Sequence, residues 1–337
     1  MVRLKDIAAR AGVSVMTVSK VLRDAPDISP GTKLRVKTLA TEMGYVPDSL
    51  AQGLRTRTTR TIGLVISAVT NPIFARAILA IEEQAHTLGY ELILVHSLNE
   101  PAREEHVIRR LLSRRVDGLI ISPVYRFAPA APIYNDLIES KTPVVVLGHR
   151  AQFCAALPNV ETEDVLGSYT ATRHLLDLGH RRIAYFAGPT VAPWAQERLE
   201  GYRRALRDAS IEPDEKLVFA AGSTIEEGES AGLQMLNEGQ KVTAIQASND
   251  MSAIGVASML IKQGVKIPEQ ISIVGFGNIL LCEYFKVPLT TVRQPKFRLG
   301  QAAMEMMRLL LKQEPAQPKR LPCDLLVRAS TAPAPAL

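Results

Sequence analysis

The sequence predicts a molecule in two parts: an N-terminal all-α helix-turn-helix domain, then an α/β core of two doubly wound parallel-sheet lobes. Three observations carry this prediction. Residues 1–47 place apolar side chains at helical spacing between glycine and Ser-Pro stops. From Thr61 onward, short Val/Ile/Leu runs alternate with amphipathic stretches. Charge divides at the same place. Residues 1–60 hold 11 Lys and Arg against 5 Asp and Glu, an excess equal to the net +6 of all 337 residues, so 61–337 balance.

The elements follow in order. Ile7, Ala8 and Ala11 share one helical face, and Gly12 ends that helix where a positive φ is needed. Ser14 caps a second helix with Val18, Val21 and Leu22 on one face. Ser29-Pro30 is an N-cap followed by a first-turn proline. It opens a third helix with Val36, Leu39, Ala40 and Met43 inside, which Gly44 ends. Two short helices joined by a tight turn and braced by a third make a helix-turn-helix. A localised basic excess on such a unit is the footprint of a polyanion binder, and double-stranded DNA is the expected partner.

Beyond this unit, strands are expected at 61–67, 91–96, 117–122, 143–147, 182–187, 217–220, 243–247 and 271–275. Helices are expected at 74–88, 102–114, 164–178, 195–208, 227–237, 250–263 and 296–312. The alternation occurs twice at similar length, which predicts two lobes with crossovers near 148–162 and 276–295. The expected organisation is a helix-turn-helix at 1–47, a hinge and linker at 48–60, a core at 61–330 and a disordered Ala/Pro tail at 331–337. In doubly wound sheets ligands bind beyond the carboxyl ends of the strands, so binding residues should follow them.

Composition excludes several classes. No apolar run reaches the roughly 20 residues of a membrane helix, and the charged N-terminus does not read as a secretory signal, so a cytoplasmic protein without membrane contact is expected. Cys154, Cys282 and Cys323 offer no metal or paired-disulfide spacing, and the six histidines show no HxxxH. No GxGxxG follows the first strand, and neither a Walker-type loop nor a Gly-x-Ser-x-Gly elbow is present. Neither an enzyme nor a cofactor is expected. His180 after Gly179 reads as a helix-end histidine.

Several stretches together resemble the LacI/GalR family of bacterial transcriptional repressors. They are LKDIAARAGVSVMTVSKVL, ISPGTKLRVKTLATEMGYVPDSLAQGL, TNPIFA, GH followed by RIAYFAGP, SND at 248–250 and LTTVRQPKFRLG at 289–300. The resemblance implies a homodimer on a palindromic operator, and a periplasmic-binding-protein-like core holding a small effector between its lobes. It implies that Val15, Met16 and Lys20 meet base edges in the major groove, with Ser14, Thr17, Ser19 and Arg23 on phosphates. Val15 and Met16 donate no hydrogen bond and suit thymine methyls, leaving Lys20 for guanine or phosphate. Asp48–Leu54 resembles the family's hinge helix, with Ala51 and Leu54 in the minor groove and Leu54 as the wedge. Seven residues with Gly53 among them are too few to be helical alone.

For the effector, the resemblance implies Asn71, Phe74, Ser122, Arg150, Trp194, Arg198, Asn249 and Asn278. Trp194 would stack on the ligand, and Asp250 would cap the helix from 250. Two departures stand out. Gly148, and Gly277-Asn278 within Gly275-Phe276-Gly277-Asn278, occupy positions where the family often has acids. A pocket without carboxylates that keeps Arg198 would favour a sugar acid or phosphorylated sugar.

Overall fold

The computed structural model describes residues 2–45 and 58–335. The chain divides between Thr59 and Arg60 into two compact units. In the first unit, α1 (Leu4–Ala11), α2 (Val15–Leu22) and α3 (Pro30–Glu42) surround one small core of Ile7, Ala8, Ala11, Val18, Val21, Val36 and Ala40. The turn between α1 and α2 depends on Gly12 at φ +65°. Ser14 Oγ accepts from Thr17 N–H at 3.0 Å, and Ser29 Oγ accepts from Thr32 N–H at 3.4 Å. Both caps satisfy amide groups that a helix start leaves unpaired.

The second unit holds two six-stranded sheets. In the first lobe β1 (Thr61–Ile66), β2 (Glu91–His96), β3 (Gly118–Ile121), β4 (Val144–Leu147), β5 (Asn159–Thr162) and β11 (Lys319–Leu321) run in the order β11-β5-β4-β3-β1-β2, all parallel. In the second, β6 (Ile183–Ala187), β7 (Val218–Ala220), β8 (Ala244–Ala247), β9 (Ser272–Gly277), β10 (Thr290–Arg293) and β12 (Asp324–Leu326) run β12-β10-β9-β8-β6-β7, with β12 alone antiparallel.

Helices cover both faces of each sheet, so inner strands are apolar on both sides. In lobe one, Ile62, Leu64 and Ile66 face α4 (Ala75–Thr87) and α12 (Lys296–Leu311). Val65, Leu119 and Val146 face α5 (Pro101–Ser113) and α6 (Pro132–Glu139). In lobe two, α7 (Asp164–Asp177) and α8 (Pro193–Asp208) cover one face. On the other face are α9 (Ile225–Asn237) and α10 (Asp250–Lys262), and a short helix, α11 (Leu281–Tyr284), follows β9.

Several expectations need correction. The stretches set aside as crossovers contain strands β5 and β10, so the connections between lobes are short: Thr162 to Asp164 and Arg293 to Lys296. A third connection, from Leu321 to Asp324, was not expected. These strands were missed because they are four residues long and lack the unbroken Val/Ile/Leu run of their neighbours. The tail expected to be disordered is instead ordered through Pro335. Ala332 O accepts from His180 Nε2 at 3.0 Å, and Ala334 N–H donates to Leu178 O at 2.8 Å. Its backbone amides and carbonyls find partners that composition alone does not reveal. The hinge with Ala51 and Leu54 falls in 46–57, outside the described residues.

Candidate nucleic-acid interface and effector cavity

The first unit presents the start of α2 as an apolar tip. Val15 is 46% exposed and Met16 65%, while Val18 and Val21 are fully buried behind them. Four residues beyond Met16, on the same face, Lys20 Nζ is held by Asp27 Oδ2 at 2.5 Å. The side chains expected on phosphates are tied together locally. Ser14 and Thr17 share a 2.9 Å hydroxyl hydrogen bond, and Arg23 turns back to donate to Ser19 O at 2.8 Å and Ser19 Oγ at 3.2 Å. Lys37 Nζ donates to Asp24 Oδ1 at 3.0 Å, and Lys33 lies 3.5 Å from the same oxygen. These lysines hold the Asp24 carboxyl below its usual range. The ion pairs are a feature the sequence reading did not register.

In the second unit a cavity of about 390 Å³ opens beyond the carboxyl ends of strands from both sheets. A more open groove of about 490 Å³ is lined by α4, α12 and the edge strand β11, with Gln84, Arg298, Glu305 and Lys319 among its residues. The first cavity gathers Asn71, Phe74, Ser122, Trp194, Arg198 and Asn249, six of the eight expected effector residues. Arg150 and Asn278 do not line it. Arg150 Nη1 donates to Ala155 O at 3.0 Å, and Asn278 Oδ1 accepts from Arg328 Nη2 at 2.8 Å. Both sit next to cavity residues in sequence, but the chain turns their side chains away; the cavity-facing neighbour of Arg150 is His149.

Arg198 is only 5% exposed and firmly placed. Its Nε and Nη2 donate to Asp164 Oδ2 at 3.1 and 3.0 Å, and Nη1 donates to Ser248 O at 2.6 Å. The guanidinium lies over Phe276 at 3.7 Å and Trp194 at 4.6 Å from the ring centroids, so Trp194 stacks on Arg198. Asn249, rather than Asp250, caps α10: its Oδ1 accepts from Ser252 N–H at 2.9 Å. Asp250 instead accepts from Thr291 Oγ1 at 2.5 Å and Ile279 N–H at 3.0 Å, tying α10 to the turn after β9 and to β10. Burial pushes the Asp250 carboxyl up and the Lys296 ammonium down. Lys296 Nζ donates to Gly277 O at 2.5 Å and Asn278 O at 2.8 Å.

The expectation of a pocket without carboxylates fails, because Glu161, Asp164 and Asp250 all line it. Asp164 is the first residue of α7 just after β5, and its role became visible only once β5 was placed. Gly148 at φ +119° and Gly277 at φ +135° occupy backbone that L side chains rarely adopt. A Cβ on Gly277 would stand 2.9 Å from Asp250 Oδ2, so an acid there would meet both strain and a like charge.

Two residues join the lobes beside the cavity. His149, after β4, places Nε2 3.2 Å from Glu197 Oε2 on α8. Arg320 on β11 reaches Glu161 at 2.7 Å and Glu197 at 2.9 Å. Burial pushes the Glu197 carboxyl up, but His149 and Arg320 outweigh it and hold the carboxyl below its usual range. Tyr125, behind His149, donates its hydroxyl to His149 O at 2.9 Å. Sequence reasoning missed His149, Asp164, Tyr125 and Lys296, although Lys296 lies inside the quoted LTTVRQPKFRLG stretch.

Known proteins share this arrangement. Residues 3–48 match the family described as bacterial regulatory proteins, lacI family, and residues 172–331 match the periplasmic binding protein-like domain. The chain is 33% identical over 312 residues to the HTH-type transcriptional repressor PurR of Vibrio atlanticus (strain LGP32), covering 91% of each chain. It is 31% identical over 338 residues to the HTH-type transcriptional repressor CytR of Escherichia coli (strain K12), covering 98% of this chain and 97% of that one. The lac repressor dimer bound to operator and the anti-inducer ONPF is similar with a TM-score of 0.87 at 27% identity, covering 98% of this chain and 99% of that one. The transcriptional regulator CelR in complex with cellobiose gives a TM-score of 0.73 at 30% identity, over 98% of this chain and 100% of that one. This chain belongs to the lacI family of bacterial regulatory proteins and is a DNA-binding transcriptional regulator.

Proposed function

We propose that the protein is a homodimeric repressor that reads a palindromic operator through Val15, Met16 and Lys20, and that a carbohydrate-derived effector held between its lobes governs its hold on DNA. The observation that carries the effector half is the cavity at the carboxyl ends of both sheets. A ligand touching residues of both lobes stabilises one lobe separation over others, and only such differential binding shifts a conformational equilibrium. Ser14, Thr17, Ser19 and Arg23 act on phosphates, positioning the unit without reading sequence. Ala51 and Leu54 enter the minor groove, Leu54 as the wedge.

The wall's chemistry favours an uncharged effector over an anionic one. Arg198 is neutralised by Asp164, Glu161 by Arg320, and Lys296 faces two carbonyls. The side chains of Ser67, Asn99, Ser122 and Ser223 line the cavity and hold no hydrogen bond to another protein group among the described residues. These four groups are neutral, and they suit the hydroxyls of a ring whose apolar face lies on Phe74 and Trp194. The cellobiose complex of CelR supports this reading.

Selecting bound DNA from a random pool, at several salt concentrations and with and without each of a panel of neutral and anionic sugars, tests both halves. A palindromic consensus whose recovery responds to a neutral sugar is the expected result. Failure to enrich any sequence would sink the operator reading. A response to anionic sugars alone would sink the neutral-effector reading. Trp194 is the chain's single tryptophan and lines the cavity, so its fluorescence reports occupancy directly.

A further inference from the structure

We propose that Asp27, in the loop between α2 and α3, sets what Lys20 reads, by holding its ammonium for a guanine edge and away from the phosphates. This rests on the reading above, in which Lys20 reaches the operator, and goes beyond it by adding a positioning residue outside the recognition helix.

The geometry is specific. Lys20 is four residues beyond Met16, so the two side chains share the exposed face of α2. A lysine there has a flexible four-carbon stem and a compact charge with three donors. Beside DNA, a strong attractor for such a charge is the nearest phosphate, and a phosphate contact carries no sequence information. In this structure Lys20 is not loose: Asp27 Oδ2 holds its Nζ at 2.5 Å, leaving the other ammonium donors for a base. The hydrogen bond from Lys20 is also the main cause that keeps the Asp27 carboxyl below its usual range. The anion adds selectivity of its own, because the phosphates repel it. The Lys20–Asp27 pair as a whole is therefore less drawn to the backbone than a bare lysine. Guanine O6 and N7 are the acceptors such a directed donor suits.

The same loop supplies an internal control. Asp24 carries the same charge three residues away, yet its partners are Lys33 and Lys37 on α3. Asp24→Asn and Asp27→Asn change the net charge equally, but only the second frees Lys20. Both aspartates are exposed, so neither change empties a core.

The experiment is operator selection with the full-length protein, followed by binding of the selected duplex, its single-base variants and non-operator DNA across salt. Wild type should require guanine at one position per half-site, and Lys20→Met should lose that requirement. Asp27→Asn should relax it about tenfold, within the range a single mismatched pair typically produces. It should also steepen the log–log salt slope on non-operator DNA by about 0.9, the signature of one added phosphate contact. Asp27→Glu should keep the preference. Asp24→Asn should tighten all sequences alike and leave the preference intact. In Lys20→Met, adding Asp27→Asn should relax nothing further. The inference is overturned if Asp27→Asn keeps the wild-type preference, if Asp24→Asn relaxes it equally, or if Lys20→Met costs only sequence-independent affinity. If wild type itself selects no sequence, the operator reading fails first, and that outcome is distinct from all of these.

Discussion

The two units differ in one respect: among the described residues, cations are buried in the core alone. In the N-terminal unit cations lie on the surface, and where Lys33 and Lys37 are paired the partner is the exposed Asp24. In the core, Arg198 and Lys296 are buried, and each is locked to a carboxylate or to backbone carbonyls. Exposed ion pairs are worth about 0–1 kcal/mol, so they are easily exchanged for another anion. A buried pair cannot be opened without stranding a charge in low dielectric. The contrast suits the two tasks: Lys33 and Lys37 can trade Asp24 for phosphates, while the core must hold a cavity in shape until a ligand arrives.

The sharpest way to break this comparison is Arg198→Ala. It leaves Asp164 buried with the guanidinium gone, and the core should lose about 3–5 kcal/mol, read by denaturant unfolding. A loss below about 1 kcal/mol would mean the pair behaves like a surface one. Ile7→Ala is next. Ile7 is fully buried in a small core, and its truncation should cost about 3 kcal/mol, abolishing operator binding while Trp194 fluorescence and the core's unfolding transition stay as in wild type. If the core transition moves with it, the units are not independent.

Ser14→Ala removes the α2 cap and should cost about 1 kcal/mol, seen as weaker operator binding at unchanged core stability. The smallest expected effect is with pH. Burial pushes the His180 imidazole below its ordinary value of 6.5, so folding favours the neutral ring. Its contribution is complete above pH 6.5 and is lost as pH falls toward the lowered folded value, because the unfolded chain then binds the proton more readily. The core's thermal midpoint should therefore slope downward in mild acid. His180→Gln should flatten that slope, and an unchanged slope in the variant would remove His180 as its cause.

How much was legible varies between the units for a physical reason. Ser14, Gly12 and the Val18/Val21 stripe are local signals, since cap, turn and helical face are set by residues within four positions of one another. The effector cavity has no such locality. Asn71, Phe74, Ser122, Trp194, Arg198 and Asn249 could be named because the family resemblance marks them and each follows a recognisable strand. Arg150 and Asn278 failed because adjacency in sequence does not decide which side chain turns inward at positive-φ corners such as Gly148, Gly277 and Asn278 itself. Asp164 and His149 went unseen because their significance comes from partners 34 and 48 residues away.

What the sequence determined by itself was the kind of molecule: a three-helix unit carrying the net charge, and two lobes built from twice-repeated strand–helix alternation. Periodicity, capping and charge are properties of neighbouring residues and survive without coordinates. Only the tertiary structure decided which ions the cavity presents to a ligand, and it reversed the expected answer by supplying Asp164, Asp250 and Glu161. It also decided that Lys20 meets the solvent already bound to Asp27. Each outcome depends on where a charge finds its counter-charge, and in a folded chain that is settled by distance in space.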